Sequence, residues 1–408
     1  MNKSRIDAYI MAQEGLRDCS RETLEAFQLA QLNKVLARMH AHGVGDVPAH
    51  LESLAALQTL PFTTAADLAA QPSRYLLLSQ SEVARIITDQ TSGTTAAAKR
   101  VFYTEADTAH TIDFFAAGIR EMAVPGDSVL ITMPFSGALG LGDLIKRAVE
   151  KIGARPLCAG WGKSYEELSD LIVREKPRCY IGFPVPLLSL ARYMGENFSI
   201  ERALISGDSC PRGVLALLEA QMTLYPHYGS RELCMGGAIT CQAFSGMHVR
   251  ENHFIVEVVD ENGQLLPDGE EGEMVITTIG MEAMPLVRYR TGDRTRIIPA
   301  PCPCGSVTKR IDAPFRLGRD AALLERLDSA LFRVPAVVDT HVSQGEAGMY
   351  IRALVGEDCE AALLQAAGSI GKVAAVETRF CQGADTPLYS GKRVLKRKTS
   401  GVMSSEYQ

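Results

Sequence analysis

Between residue 83 and about residue 230 the chain alternates short apolar runs with glycine or proline turns and amphipathic stretches, and no other feature constrains its fold as strongly. The runs Val129–Phe135, Cys179–Phe183 and Ala203–Ser206 read as strands, and the stretches between them carry apolar residues at helical spacing. Strand–helix alternation of this kind predicts a parallel sheet with helices on its faces. Ligands of such sheets bind at the carboxyl ends of the strands, where the loops gather. The loops to watch are therefore Pro134-Phe135-Ser136-Gly137, Ser206-Gly207-Asp208 and Tyr228-Gly229-Ser230.

On either side the rhythm differs. Residues 1–80 read as helical, with a stripe in Leu24–Ala30 and a short helix capped by Pro61-Phe62-Thr63-Thr64. After residue 253 come two β-rich runs, His253–Val259 and Glu273–Thr278. Asp260-Glu261-Asn262-Gly263 and Pro267-Asp268-Gly269 punctuate them, which is antiparallel hairpin chemistry. Past Gly318 a compact α+β tail follows, with strands near 348–355 and 374–380 and a helix between. At 408 residues the chain exceeds one ordinary core, so two domains are expected, 1–318 and 319–408. The fold class is α/β. A large lobe of mixed and parallel sheets with flanking helices carries a small antiparallel β subdomain, and a small, mobile α+β domain ends the chain.

Composition excludes several partners. A net charge of −6 gives no field for nucleic acid or an anionic membrane. No apolar run reaches membrane-spanning length, and the opening residues lack a secretory apolar segment, so a cytoplasmic protein is expected. Ten cysteines in a reducing compartment then read as core residues, metal ligands or reactive thiols. The one basic cluster, Lys392-Arg393 through Lys396-Arg397-Lys398, reads by default as a solvated face.

Four short motifs carry the chemistry. Thr91-Ser92-Gly93-Thr94-Thr95, with Lys99 and Arg100 behind it, crowds hydroxyls around a glycine and can wrap a phosphate chain. It is not a Walker loop. Tyr228-Gly229-Ser230-Arg231-Glu232 offers an aromatic face, a tight turn and a carboxylate. Tyr289-Arg290-Thr291-Gly292-Asp293 ends a strand with a carboxylate able to grip a pair of hydroxyls, and Gly318-Arg319-Asp320 opens the tail. Taken singly, each is a common turn.

Taken in order, the motifs resemble the AMP-forming adenylating superfamily of acyl-CoA synthetases and peptide-synthetase adenylation domains. The closer resemblance is to the phenylacetate–CoA ligase family, carried by Leu60–Thr64 and by the long stretch Thr278–Asp293. It covers nearly the whole chain. The resemblance implies that Thr91, Ser92, Gly93, Thr94 and Thr95 hold the β- and γ-phosphates of ATP, with Lys99 close by. It implies that Tyr228 stacks on adenine beside Gly207, Asp208 and Ser209, with Gly229 and Ser230 completing the turn. Glu232 would help hold Mg²⁺, while Asp293 and Arg319 would bind the ribose. Ser390-Gly391-Lys392 looks like the family's late glycine–lysine element, which makes Lys392 the candidate catalytic lysine, with Lys396 and Lys398 as rivals. In such a reaction a carboxylate attacks the α-phosphorus, and catalysis is chiefly positioning and cation placement.

The sequence departs from the family in three places. Ala96-Ala97-Ala98 replaces the usual glycine and proline of the phosphate loop, which stiffens it. Arg231 stands where the family has a hydroxyl, and Ser230 could supply the missing group. After Asp320, the run Ala321–Leu327 enters a helix without the glycine loop that helps form the pantetheine tunnel. Adenylation survives that change more securely than transfer to coenzyme A.

Cys241, His248, Cys302 and Cys304 offer three thiolates and one imidazole, a complete shell for a structural Zn²⁺. The family carries cysteine and histidine at matching places. The alternative is a set of half-buried thiols in a reducing cell, and Cys234 is a substitute for Cys241. An acyl pocket is expected near Phe135, Ser136, Gly137, Ala138, Leu139 and Gly140, with walls from Phe183, Pro184 and His227. Its small residues and few aromatics favour an aromatic or arylalkyl acid. Coenzyme A is the expected acceptor. A carrier-protein thiol or an amine is the second reading, and a nucleotide-binding protein without turnover the third. A homodimer would be unsurprising.

Overall fold

The computed structural model describes residues 4–44, 47–89, 99–381 and 393–397. Thr91 to Thr95 and Lys392, singled out above, lie outside the described residues. The chain gathers into two compact units, one of residues 1–121, 137–152 and 225–315, the other of 122–136, 153–224 and 316–408.

In the first unit the expected helices form at Arg5–Glu14, Arg21–Ala41 and Ala65–Ala70. Thr64 and Asp67 close a reciprocal cap on the third, satisfying two otherwise orphaned backbone donors. Arg85–Asp89 and Lys99–Tyr103 pair antiparallel as their own two-stranded ribbon, outside the parallel sheet that the strand–helix rhythm suggested. The register sets Asp89 opposite Lys99. The hairpin runs resolve as antiparallel strands Phe254–Val259, Gly272–Thr278 and Tyr289–Thr295. A smaller antiparallel group, Ala238–Thr240, Met247–Val249 and Arg310–Ile311, extends from His227 and Tyr228. These sheets bury Val256, Val258, Met274, Ile276 and Tyr289 in one core. Arg21 grips both oxygens of the buried Glu251 at 2.7 and 2.8 Å, which ties the long second helix to the strand end beyond Val249.

In the second unit the parallel strands take the order Arg155–Cys158, Ser128–Ile131, Cys179–Gly182, Arg202–Ile205. Helices Tyr165–Glu175, Pro184–Met194 and Arg212–Glu219 accompany them. Strands Val373–Phe380, Gly348–Val355, Val337–Gly345 and Lys396–Arg397 form a second sheet, with helices Arg319–Leu331 and Glu360–Gly368. The chain does enter a helix directly at Arg319. One apolar core runs through both layers, from Leu187 and Leu188 to Leu327, Leu331, Phe332 and Val337.

The basic cluster near the C-terminus is not uniformly solvated, contrary to the expectation for a charge run. Lys396 and Arg397 are exposed, but Leu395 is buried and the Arg393 side chain is only 8% exposed. The short strand does not account for this, since both of its residues are exposed; Arg393, ahead of it, is drawn inward by the buried carboxylates Asp328 and Asp339. Among the described residues no helix is long and apolar enough to cross a membrane.

Candidate functional site

In the first unit, strand Thr223–Tyr228 delivers Tyr228 to a tight turn. Gly229 must be glycine, because a Cβ there would lie 1.9 Å from the carbonyl oxygen of Met235. A single 3₁₀ turn, Arg231–Leu233, then aims Glu232 inward, and Cys234 and Met235 follow in left-handed conformations, φ 46° and 67°. Strand Tyr289–Thr295 brings up the other half. The Tyr228 hydroxyl donates to Asp293 Oδ2 at 2.9 Å, and the Tyr289 hydroxyl to Glu232 Oε1 at 2.9 Å. From the ribbon, the Lys99 ammonium donates to the same Glu232 oxygen and sits 6.0 Å from the centre of the Tyr289 ring. The Ser230 hydroxyl, on the same turn as Tyr228 and Glu232, is buried with no hydrogen-bond partner among the described residues.

Five residues drawn from three motifs thus stand on one turn and the strands it contacts: Lys99, Tyr228, Ser230, Glu232 and Asp293. Burial pushes the Glu232 carboxyl up, but the Lys99 ammonium and the Tyr289 hydroxyl outweigh it and hold the group below its ordinary value. The carboxylate therefore stays charged although it is 5% exposed. Sequence reasoning gives no role to Tyr289, although it opens a motif, nor to Tyr103, whose hydroxyl donates to the Arg231 carbonyl at 2.5 Å and props the turn. Nothing in local spacing marks either, since both contacts span more than fifty residues.

Other predicted residues fall as follows. In the first unit, His227 packs edge-on to Phe115 at 5.5 Å and near Phe114 at 6.1 Å. Burial drops its imidazole to about 4, so it is neutral at physiological pH. Gly137 takes φ 84°, and Arg85 donates to the Ala138 carbonyl at 2.9 Å. In the second unit, Gly207 takes φ 83° and presses on Phe183, whose ring would be 2.7 Å from an added Cβ. Ser209 N–H donates to Asp208 Oδ1 at 3.0 Å, and Arg393 N–H to Asp208 Oδ2 at 2.7 Å. Phe135 and Ser136 are both exposed; Arg319 is exposed in the first turn of its helix.

The proposed metal ligands do come together. Cys241, His248, Cys302 and Cys304 are all buried, and their ligand atoms lie within 4.8 Å of one another. Cys241 Sγ is 3.7 Å from Cys302 Sγ, and Cys304 Sγ is 3.5 Å from His248 Nε2. A tetrahedral zinc with bonds of about 2.3 Å to sulfur has edges of about 3.8 Å, so the spacing fits a shared ion. Backbone N–H groups of Ala243 and Ser306 each point at a sulfur, at 3.4 Å. Burial pushes the bare Cys241 thiol up to about 12, a penalty that a bound cation would reverse by ionising it. Cys234 is not a substitute: it lies in the apolar core with its thiol on the Asp107 carbonyl, 3.6 Å away.

With this arrangement in view, the family is plain. A family model described as "AMP-binding enzyme" matches residues 1–283, and the chain belongs to that family. Within it, the phenylacetate–coenzyme A ligase of Aromatoleum evansii is 30% identical over 311 residues, 70% of this chain and 69% of the relative. That of Thermus thermophilus is 28% identical over 367 residues, 81% of this chain and 80% of the relative. The chain is therefore a member of the phenylacetate–CoA ligase family of adenylating enzymes. Its architecture matches a solved 2-hydroxyisobutyryl-CoA ligase in the postadenylation state with R3-HIB-AMP, TM-score 0.72, 19% identity, 90% of this chain and 88% of that one. The expected α/β adenylating-enzyme fold is the fold observed.

Proposed function

We propose that this chain is an AMP-forming acid–CoA ligase. A carboxylate attacks the α-phosphorus of ATP to give an acyl-adenylate and pyrophosphate, and the thiol of coenzyme A then displaces AMP. The single observation that carries the reading is the meeting of Lys99, Tyr228, Ser230, Glu232 and Asp293. Adenylation needs a flat aromatic for the base, a carboxylate for the ribose diol and a charged carboxylate for the metal, all close together. Tyr228 and Asp293 fit the first two demands. Glu232 fits the third, because it stays ionised while buried and already attracts one cation, Lys99. Mg²⁺ held there would offset charge on the leaving pyrophosphate. The buried Ser230 hydroxyl supplies a donor for the α-phosphate in place of the hydroxyl that Arg231 replaces.

The acid is read as aromatic or arylalkyl. Neutral His227, partly exposed and backed by the buried rings of Phe114 and Phe115, offers an apolar aromatic surface suited to a flat acyl group. Residues 319–408 are read as the lid domain with Lys392 as its catalytic lysine, and Thr91–Thr95 as the segment that binds the phosphates. Zn²⁺ is read as the structural ion of Cys241, His248, Cys302 and Cys304, since the donor set and edge lengths suit it.

The helix beginning at Arg319 supports a second reading of the acceptor. Without a glycine loop behind Asp320, the acyl group could pass to a carrier-protein thiol or an amine. An acid panel with ATP separates the readings. Pyrophosphate release with an aryl or arylalkyl acid, and a thioester with coenzyme A by mass spectrometry, is the expected result. Release without thioester favours the second acceptor class, and no release with any acid overturns the enzyme.

A further inference from the structure

His248 is not held by its neighbours in sequence but by a line of buried hydroxyls ending at the first helix. Its Nδ1 lies 2.8 Å from Thr308 Oγ1, and Thr308 Oγ1 lies 2.9 Å from Ser306 Oγ. Ser306 Oγ donates to Asp7 Oδ1, in the opening turn of helix Arg5–Glu14. All four residues are buried.

The line can run in only one direction. A carboxylate accepts and does not donate, so the Ser306 proton is committed to Asp7. Ser306 Oγ must then accept, and it does so twice, from Thr308 Oγ1 and from the Thr308 backbone N–H at 3.3 Å. With the Thr308 proton spent on Ser306, its oxygen can only accept from His248, which places a proton on Nδ1. The imidazole is left with its lone pair on Nε2, the atom facing Cys304 at 3.5 Å.

We infer that Asp7, through Ser306 and Thr308, is a positioning residue that fixes His248 in the metal-binding tautomer, so that docking of the first helix and occupancy of the metal site stabilise each other. The inference rests on the zinc reading above. Second-contact partners of zinc histidines orient the ring and typically contribute ten- to hundredfold in metal affinity. Here the anchor lies almost the whole length of the first unit's sequence away, so removing metal loosens the N-terminus.

The test uses the full chain. Wild-type protein is assayed for zinc by elemental analysis, and affinity is measured by competition with a chromogenic chelator. Thr308→Val, which keeps shape and removes the acceptor, is expected to weaken zinc binding ten- to hundredfold. Ser306→Ala, which spares the Thr308 oxygen, is expected to weaken it by less, roughly threefold to tenfold. Hydrogen exchange gives a readout independent of catalysis and of affinity: stripping zinc from wild type should speed exchange across residues 5–14. In Ser306→Ala those residues should exchange fast with or without zinc. Wild-type protein without zinc sinks the metal reading itself. Zinc in wild type with unchanged affinity in both variants, or with exchange at 5–14 indifferent to the metal, overturns the relay alone. Should Thr308→Val not fold, Ser306→Ala decides the matter by the same two readouts.

Discussion

Two buried charge clusters, one in each unit, look alike on a map of ion pairs and differ in what they leave over. In the second unit Arg393 is saturated. Its Nε and Nη2 reach both oxygens of Asp328, at 3.1 and 2.5 Å, Nη2 also reaches Thr340 Oγ1 at 2.8 Å, and Nη1 reaches Asp339 and the Thr340 carbonyl. All five guanidinium N–H groups are spent. Asp339 is further tied by the Tyr165 hydroxyl at 3.0 Å, so the cluster is closed on itself. In the first unit Glu232 shares one oxygen between Lys99 and Tyr289, and next to it the Ser230 hydroxyl has no partner among the described residues. Burial of charge marks both places. What separates these two is how far the charged group itself is committed: the guanidinium of Arg393 has no donor left, whereas Glu232 makes its side-chain contacts through one oxygen, beside a turn that carries an unpartnered hydroxyl.

The sharpest way to break the contrast is to truncate the saturated cation. Arg393→Met leaves Asp328 and Asp339 buried and facing each other, with side chains 1% and 6% exposed. Removing one partner of a buried ion pair costs about 3–5 kcal/mol, so the urea midpoint should drop steeply. Adding Asp328→Asn should recover part of the loss. An unchanged midpoint would mean the cluster is ornamental. Lys392, the preceding residue, should behave oppositely. Lys392→Ala is expected to slow pyrophosphate release about a hundredfold or more, near 2.7 kcal/mol of barrier, while the melting temperature stays put. Adjacent cations would then divide fold and catalysis between them, and near-wild-type turnover would remove Lys392 from the mechanism. Glu232→Gln comes next: the isosteric amide keeps a partner for Tyr289 and loses the charge. About a tenfold fall in kcat/KM with a raised requirement for Mg²⁺ is expected, checked by titrating the metal.

Much of this is legible in the sequence alone. Tyr228 and Asp293 stand in strands within contiguous motifs, and Thr64 with Asp67 caps a helix over three residues, so local spacing is enough. The metal ligands are legible as the pairs Cys241 with His248 and Cys302 with Cys304. Deciding between Cys241 and Cys234 is not, because it depends on a left-handed turn that buries Cys234 against Asp107. Arg393 reads as one more solvated cation in a charge run, since its acidic partners lie 54 and 65 positions earlier. The Asp7–Ser306 contact spans 299 positions, and no short-range rule reports on such a pair. What escapes the sequence is hydroxyls and charges whose partners are distant in the chain.

The smallest expected effect turns the comparison into a pH profile. His227 in the first unit is depressed by burial to about 4, whereas an unfolded chain leaves it near 6.5. Below about pH 6.5 the unfolded state therefore binds a proton that the folded state refuses, and stability falls as pH drops towards 4. The slope approaches about 1.4 kcal/mol per pH unit for this one imidazole. Asp328 in the Arg393 cluster runs the other way. Burial raises it despite the guanidinium, so the folded state takes up its proton first and mild acid costs nothing there. Urea unfolding between pH 7 and 5 should thus weaken with acid, and His227→Gln should flatten the dependence by about one proton. A variant slope equal to that of wild type would mean that His227 titrates normally in the folded protein, and the neutral aromatic wall assigned to the acyl group would go with it.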